Sequence, residues 1–318
     1  MNRGPTDVEL RHLRYFVAVA EELSFTRAAA RLRTAQPSLS QQIRNLENEL
    51  GVTLLDRNRH RVAVTNAGRV FLQQAKDILA RVEHASRLAR QAAEGRAGDL
   101  SVGTFPSADV RILPALRPLI AEHLPELRLI LHSKYAVEPL SGLRTGALDV
   151  AFMRPPEDPA GLDVIEVLRE RIVIVLPSHH PLAHRKKIPV EALDDLPCIA
   201  MERSMSPALH DAAASLYREA RIRMHAVSSA DNVLGHLKLV QEGLGFALLP
   251  DSLQALLPPG VTFRPLDCDP VPTVSIVLAV KRENPSRLVR EFVGLVRRSF
   301  RPQERLDVGE ITARQMKS

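Results

Sequence analysis

The chain has 318 residues, enough for two or three domains, and its hydrophobic content of 45% excludes a disordered protein. Two cysteines, Cys198 and Cys268, are too few for a disulfide framework or a four-cysteine zinc site, which favours a reducing compartment. Because no apolar run approaches the ~18 residues of a membrane span and the first residues lack a signal-peptide core, we expect a cytoplasmic protein without membrane contact.

The net charge of +6 is confined to the first third of the chain. Residues 1–98 carry 16 Lys and Arg against 10 Asp and Glu, whereas residues 99–318 carry 27 of each kind. A basic unit joined to a neutral one indicates a polyanion-binding head and a body that binds something else. A merely basic, solvated surface is the alternative when charge is the only observation.

Residues 8–65 carry a helix-turn-helix pattern. Helical spacing predicts a first helix from Leu10, and Ser24 can cap a second helix that ends near Leu32. A third helix begins at Gln36 and Pro37, with one apolar and one polar face. The alternative is a helical bundle corner with a solvated face. The polar face carries side chains that can contact base edges and phosphates, namely Ser38, Ser40, Gln41, Arg44 and Asn45.

A hairpin with a basic tip is predicted over residues 54–64. A basic β-wing beside a reading helix can reach neighbouring phosphates or the minor groove. We therefore predict a winged helix-turn-helix over residues 8–65, in which the wing contacts DNA through Arg57, Arg59 and Arg61.

The head resembles that of the LysR-type transcriptional regulators over residues 10–65. The resemblance is carried by residues 13–16 (LRYF), 24–29 (SFTRAA), 36–43 (QPSLSQQI), 46–51 (LENELG) and 54–57 (LLDR). It implies that operator DNA is faced by Gln36, Pro37, Ser40 and Gln41. Many members have an arginine where this chain has Gln41.

Thr65 can cap a long helix over residues 66–95. About 29 residues make a helix of about 43 Å, more than a small head covers. A heptad seam favours a two-helix coiled coil and a homodimer through Phe71, Ala75, Ile78, Val82, Ala85, Ala89 and Ala92. Packing of this helix along the body is the alternative. The resemblance implies a dimerising linker helix and commonly a homotetramer built from two dimers.

From residue 100 onwards, short apolar strands alternate with amphipathic helices, which predicts an α/β domain with a mostly parallel sheet. Residues 103–107, 146–152, 175–183 and 240–250 continue the family resemblance, which implies a type 2 periplasmic-binding-protein fold. The effector-binding domain would cover residues 100–301, with a first lobe of 100–157 and 262–300 and a second lobe of 162–260. Residues 302–318 are expected to be a loosely held polar tail.

A ligand in such a domain is expected at the carboxyl ends of strands. The Ser107 hydroxyl follows a strand and can hold a carboxylate, and Arg154 can pair with the ligand or with Glu202 across the lobes. The effector candidates are Ser107, Tyr135, Arg154, Glu202, Arg203, Ser204 and Phe246. As alternatives, Ser107 caps a helix, Arg154 forms an ordinary ion pair and Phe246 is core.

The sequence contains no catalytic or phosphate-binding motif and no paired metal-ligand spacing, so we predict no enzyme activity, no metal and no cofactor. The combined fold prediction is α plus α/β: a winged helix-turn-helix, a linker helix and a two-lobed body. The predicted function is a LysR-type regulator of double-stranded operator DNA with an organic-acid effector, aromatic by resemblance to members that control aromatic-acid catabolism. The alternatives are a small-molecule-binding protein or an enzyme whose basic head serves assembly only.

Overall fold

The computed structural model describes residues 8–57, 62–94, 98–133, 138–230, 232–283 and 286–300. They divide near residue 95 into an N-terminal unit and a body. The predicted tail, residues 302–318, lies outside the described residues. Among the described residues, no helix is long and apolar enough to cross a membrane.

The head contains the predicted helices and a short hairpin: α1 (Leu10–Glu22), α2 (Phe25–Leu32), α3 (Gln36–Leu50), β1 (Leu55–Arg57) and β2 (Val62–Val64). Ser24 caps α2, because its Oγ accepts the Arg27 N–H at 3.3 Å. The core of the head is made by apolar side chains from all three helices, including Phe16, Ala28 and Leu46. The helix-turn-helix and the cap of α2 are therefore confirmed.

Helix α4 (Asn66–Glu94) begins at the predicted cap, where Thr65 Oγ1 accepts the Gly68 N–H at 2.9 Å. Its first turns pack into the head: Ala75 is fully buried, and the Phe71 ring lies 5.3 Å from the Phe16 ring. The assignment of Ala75 to a dimer seam is therefore wrong, because the head covers it, whereas Phe71 is half-buried against the same core.

The later residues of the predicted seam whose side chains are described are more exposed to solvent than Ala75. Ile78 is 44% exposed, Ala85 and Ala89 are exposed, and Val82 is half-buried. The side chain of Ala92 lies outside the described part of the chain. Among the described side chains, a seam for a second helix is therefore available from Ile78 onwards, in the fourth turn of α4 and beyond.

The body is built from six helices and ten strands within the described residues. The helices are α5 (Pro106–Arg111), α6 (Leu113–His123), α7 (Glu138–Thr145), α8 (Pro207–Ala220), α9 (Val233–Gln241) and α10 (Arg287–Ser299). The strands are β3 (Asp99–Thr104), β4 (Arg128–Ser133), β5 (Val150–Met153), β6 (Leu162–Pro177), β7 (Ile188–Pro189), β8 (Pro197–Met201), β9 (His225–Ala230), β10 (Ala247–Pro250), β11 (Val261–Asp267) and β12 (Thr273–Lys281).

Eight of these strands form one sheet in the order β4-β3-β5-β12-β6-β11-β7, with β10 also paired to β6. Strands β3, β4 and β5 are parallel, but β12, β10 and β11 all run antiparallel to β6. Strands β8 and β9 form a separate parallel pair. The sheet is thus mixed rather than mostly parallel, because β6 and β12 are long strands that pair antiparallel with each other.

Strand β6 passes from one lobe into the other. Its first half pairs with β12 up to Arg171, and its second half pairs with β10 and β11 from Ile172. Two apolar cores follow the same division, one containing Val167 and the other Val173. The predicted lobe boundaries are therefore wrong in two places: residues 162–171 belong to the first lobe, and residues 262–267 belong to the second.

Candidate DNA-binding face and effector site

Helix α3 presents a polar surface to solvent. Leu39, Ile43 and Leu46 are fully buried, so the opposite side of the helix faces outwards. Ser40 is half-buried, and the other predicted residues of this face are exposed: Gln36, Pro37, Ser38, Gln41 and Arg44. The structure thus places all six predicted reading residues on one accessible face, which we call the reading face.

Hydrogen bonds within the reading face orient its longer side chains. Gln41 Nε2 donates to Asn45 Oδ1 at 2.9 Å, and Arg44 Nη2 donates to Ser40 Oγ at 3.3 Å. Arg44 forms no ion pair with any described residue, so its charge is available to a phosphate. These are the donor and acceptor types that contact DNA bases and backbone.

Sequence reasoning missed His12, which supports the reading face from behind. This buried histidine accepts the Glu9 N–H at Nδ1 (3.2 Å), so the ring proton is on Nε2 and is shared with Gln42 Oε1 at 2.9 Å. The start of α1 is thereby linked to the middle of α3. The spacing of Glu9 and His12, which form a capping box, was the available signal.

The wing arginines differ from the prediction. Arg57 Nη2 lies 2.5 Å from Glu47 Oε2, and the guanidinium carbon stands 5.1 Å from the centre of the Phe25 ring. Arg57 is thus engaged by the head itself, which does not favour its predicted contact with DNA. Arg59 and Arg61 lie outside the described residues.

In the body, Ser107 and Arg154 meet at the edge of the first lobe. Ser107 lies in α5 and is 1% exposed, and Arg154 follows β5 and is 6% exposed. Arg154 Nη2 donates to Ser107 Oγ at 3.2 Å, while Nη1 donates to the Ser275 carbonyl oxygen at 3.1 Å. The sequence placed both residues in the site, and the structure brings them into contact.

The charge of Arg154 is compensated by a residue that the sequence analysis missed. Glu170 is 2% exposed, and its Oε2 lies 2.5 Å from Arg154 Nη1. The Ser252 hydroxyl, from the second lobe, donates to Glu170 Oε1. The predicted pairing of Arg154 with Glu202 is wrong, because a buried guanidinium needs a buried partner and Glu202 is exposed.

A second carboxylate lies beside this network. Burial, and then the charge of Glu170, raise the pKa of Asp251, although Arg111 and Arg171 act in the opposite direction. Ser107, Arg154, Glu170 and Ser252 therefore join the two lobes through buried polar contacts, and half-buried Asp251 precedes Ser252 in the chain.

The predicted residues at the end of β8 form a separate group. Arg203 binds Glu157 (2.7 Å) and Asp211 (3.0 Å), and Ser229 donates to Glu202 at 3.0 Å. No hydrogen bond or ion pair between described residues joins Glu202, Arg203 or Ser204 to Ser107 or Arg154. A depression of about 510 Å³ lies nearby, lined by Glu202, Ser229, Ala230, Gly235, Lys238 and Leu239.

The predicted apolar walls are also displaced. Phe246 is buried in the core of the second lobe and shares backbone hydrogen bonds with Pro197 and Ile199, so its role as a wall is wrong. Tyr135 lies outside the described residues. Half-buried Phe105 lies against the site instead, since its ring centre is 5.0 Å from the Arg154 guanidinium carbon.

The described metal-ligating side chains and the two cysteines give no indication of a metal site or a reactive thiol. Among the described residues, no cluster of three or more His, Cys, Asp or Glu is positioned to hold a metal ion. Cys198 and Cys268 are both free, and burial raises the pKa of each thiol. A raised pKa disfavours the reactive thiolate.

Two family models match this chain. The model described as "Bacterial regulatory helix-turn-helix protein, lysR family" covers residues 10–69, and "LysR substrate binding domain" covers residues 93–301. The chain belongs to the LysR family of transcriptional regulators. The alternative in which a basic head serves only assembly is therefore not supported.

Similar LysR-family proteins match over nearly their whole length. The Hca operon transcriptional activator HcaR of Escherichia coli K12 is 38% identical over 94% of this chain and 98% of its own. The regulator AlsR of Bacillus subtilis 168 is 33% identical over 90% of this chain and 94% of its own. These relatives are regulators rather than enzymes.

Solved LysR structures share the fold. The crystal structure of CbnR has a TM-score of 0.71 and 28% identity, covering 92% of this chain and 99% of CbnR. Full-length CbnR in complex with its target DNA has a TM-score of 0.67, with 92% and 100% coverage. LysR regulators bind operator DNA and small-molecule effectors and form oligomers, which is the general function of this chain.

Proposed function

We propose that this LysR regulator recognises its operator with the reading face of α3. We further propose that its effector is a small carboxylate whose remaining part is apolar. The carboxylate would bind at Ser107, and the apolar part would lie against Phe105. Helix α4 would pair with a second copy through Ile78 and the residues beyond it, which presents two heads to two half-sites.

The contact that carries the effector proposal is the hydrogen bond from Arg154 to Ser107. Because Ser107 Oγ accepts from a guanidinium, its own O–H remains available to donate to a ligand. A neighbouring positive charge strengthens this donation, so a carboxylate oxygen is the favoured partner.

The surroundings favour one carboxylate rather than several. Glu170 already neutralises Arg154 at 2.5 Å, so the site has no surplus positive charge for a polyanion. The Phe105 ring offers an apolar surface instead. The resemblance of the sequence to regulators of aromatic-acid catabolism supports an aromatic monocarboxylate.

Thermal denaturation of the full chain tests this proposal with benzoate, 3-phenylpropionate, cis,cis-muconate, acetate and succinate. An aromatic monocarboxylate is expected to raise Tm, since a ligand at 100 times its Kd stabilises the folded state by about 2.7 kcal/mol. Ser107→Ala is expected to remove the shift.

Ser204→Ala is the matched control, because Ser204 is exposed and lies in the separate group at the end of β8. Its Tm shift should equal that of the wild type. A shift that persists in Ser107→Ala, or disappears in Ser204→Ala, would place the effector elsewhere.

A further inference from the structure

Glu47 joins the reading helix to the wing. Its side chain is 12% exposed and lies on α3, about one turn beyond Arg44 of the reading face. Oε1 accepts the backbone N–H groups of Leu54 (2.9 Å) and Leu55 (3.0 Å), and Oε2 lies 2.5 Å from Arg57 Nη2. We call Glu47, Arg57 and these two amides the Glu47 clamp.

Arg57 extends the clamp to a third element. Its side chain is 25% exposed, and its guanidinium carbon lies 5.1 Å from the centre of the half-buried Phe25 ring at the start of α2. Salt-bridge, backbone and cation–π contacts therefore meet at one carboxylate and one guanidinium. The clamp connects α2, α3 and β1.

Apart from the Glu47 clamp, the wing is held mainly at its base by the start of α4, where Thr65 Oγ1 donates to the Leu54 carbonyl oxygen at 3.1 Å. Strands β1 and β2 have three residues each and pair only with each other among the described strands. A two-stranded hairpin is marginally stable alone. Its orientation relative to α3 therefore depends on the buried side chains of Leu54 and Leu55 and on the Glu47 clamp.

We propose that Glu47 is a positioning residue for operator binding and that Arg57 acts through Glu47 rather than on a DNA phosphate. This assignment rests on the operator binding proposed above. It predicts that removing the Glu47 charge weakens DNA binding, whereas charge alone would make the binding tighter. An acidic side chain in a DNA-binding head repels phosphates, so removing its charge should tighten binding unless the carboxylate positions the wing.

The test uses the full chain, a 40-bp duplex that the wild type selects from a random pool, and a scrambled duplex of the same length. Fluorescence anisotropy gives Kd at several KCl concentrations. We expect Glu47→Gln to weaken binding to the selected duplex at least tenfold, with a smaller loss on the scrambled one. Asp56→Asn is the control: Asp56 is exposed on β1, and its neutralisation should leave binding unchanged or tighter.

Arg57→Ala leaves Glu47 free to keep both of its backbone hydrogen bonds. It distinguishes a role of Arg57 in the Glu47 clamp from direct contact of Arg57 with a DNA phosphate. A clamp residue should give a loss no larger than that of Glu47→Gln, since both backbone hydrogen bonds remain, with no further loss in the double variant and an unchanged salt slope. A phosphate contact should lower the slope by about one and add to the effect of Glu47→Gln. Additive losses, or undiminished binding by Glu47→Gln, would overturn the proposal.

Amide hydrogen exchange supplies a readout without DNA. In Glu47→Gln, the amides of Leu54 and Leu55 should lose protection while the amides of the α3 core keep theirs. Unchanged protection at both amides would contradict the clamp. Failure of the wild type to select any duplex would instead contradict the proposed function.

Discussion

At the residue scale, the buried pair of Arg154 and Glu170 is the contact of the body whose loss is expected to cost the most stability. Arg154 reaches from the end of β5 across Ser275 of β12 to Glu170 in the middle of β6. Ser252 then connects Glu170 to the second lobe. A buried pair contributes little net stability over an apolar replacement, but removal of one partner leaves an isolated buried charge.

We therefore expect Arg154→Met to lower the free energy of unfolding by about 3–5 kcal/mol, because the buried Glu170 side chain is left without its partner. Arg169→Met is the control, since the Arg169 pair with Glu166 is exposed and worth less than about 1 kcal/mol. Urea denaturation of the three proteins measures both values. Equal losses in the two variants would contradict the special role of the buried pair.

The raised pKa of Asp251 gives a prediction with a defined sign. A carboxyl whose pKa is raised by folding stabilises the folded state below its ordinary pKa of ~3.9, and this contribution is lost as the pH rises through the folded value. At pH 7 the ionised Asp251 therefore opposes folding. We expect Asp251→Asn to raise the free energy of unfolding at pH 7.

Urea denaturation at pH 7 and at about pH 3.5 checks this sign. The difference between wild type and Asp251→Asn should become much smaller at the lower pH, where most of the carboxyl is protonated in both states. A wild type more stable than the variant at pH 7 would show that Arg111 and Arg171 outweigh burial.

Ser107 and Arg154 could be predicted because each follows an apolar strand in the sequence. Glu170 could not, because it stands between Arg169 and Arg171 in a stretch that looks solvent-exposed. Only the strand pairing reveals that this stretch belongs to the strand that passes from the first lobe into the second. The prediction that Phe246 lines the effector site was wrong for a different reason: an aromatic residue near a strand end is as suitable for a core as for a ligand wall.

At the element scale, helix α4 serves two purposes along its length. Its first turns complete the core of the head through Phe71 and Ala75, and its later turns expose Ile78. Heptad spacing identified the apolar side of the helix but not which surface covers each turn. That distinction depends on where α1 ends against α4, which periodicity does not contain.

Phe71→Ala and Ile78→Glu should therefore behave differently. We expect Phe71→Ala to lower the free energy of unfolding of the head by up to about 3 kcal/mol, since it opens a cavity beside Phe16. Ile78→Glu should leave stability within about 0.5 kcal/mol but weaken self-association. Urea denaturation and sedimentation velocity measure the two effects. Unaltered association in Ile78→Glu would mean that α4 pairs through another face.

The base of the wing lies very close to α4. A Cβ on Gly68 would overlap the Leu54 carbonyl oxygen and approach Val64 Cγ1 to 2.8 Å. We expect Gly68→Ala to destabilise the head by about 1–3 kcal/mol. Gly294→Ala in α10 should instead stabilise the protein by about 0.5–1 kcal/mol, since only the flexible Arg298 side chain is near. Thermal unfolding should show opposite shifts, and shifts of the same sign would contradict the close packing at Gly68.

At the scale of the whole molecule, the division into a DNA-binding head and a two-lobed body was predictable from charge, periodicity and resemblance. The positions where the chain crosses between lobes were not. The charged first half of β6 conceals the fact that residues 162–177 form one strand of 16 residues. Residues 262–267 were placed in the wrong lobe because nothing in their sequence distinguishes β11, which pairs with the second half of β6, from β12, which pairs with the first half.

Operator recognition is tested most directly by selection of duplexes by the full chain from a random pool, followed by sequencing of the bound fraction. We expect enrichment of two half-sites related by twofold symmetry, with centres separated by one helical turn or a multiple of it. Gln41→Ala should relax the preference at one base pair of each half-site. A bound fraction with no sequence preference at moderate salt would contradict recognition by the reading face of α3.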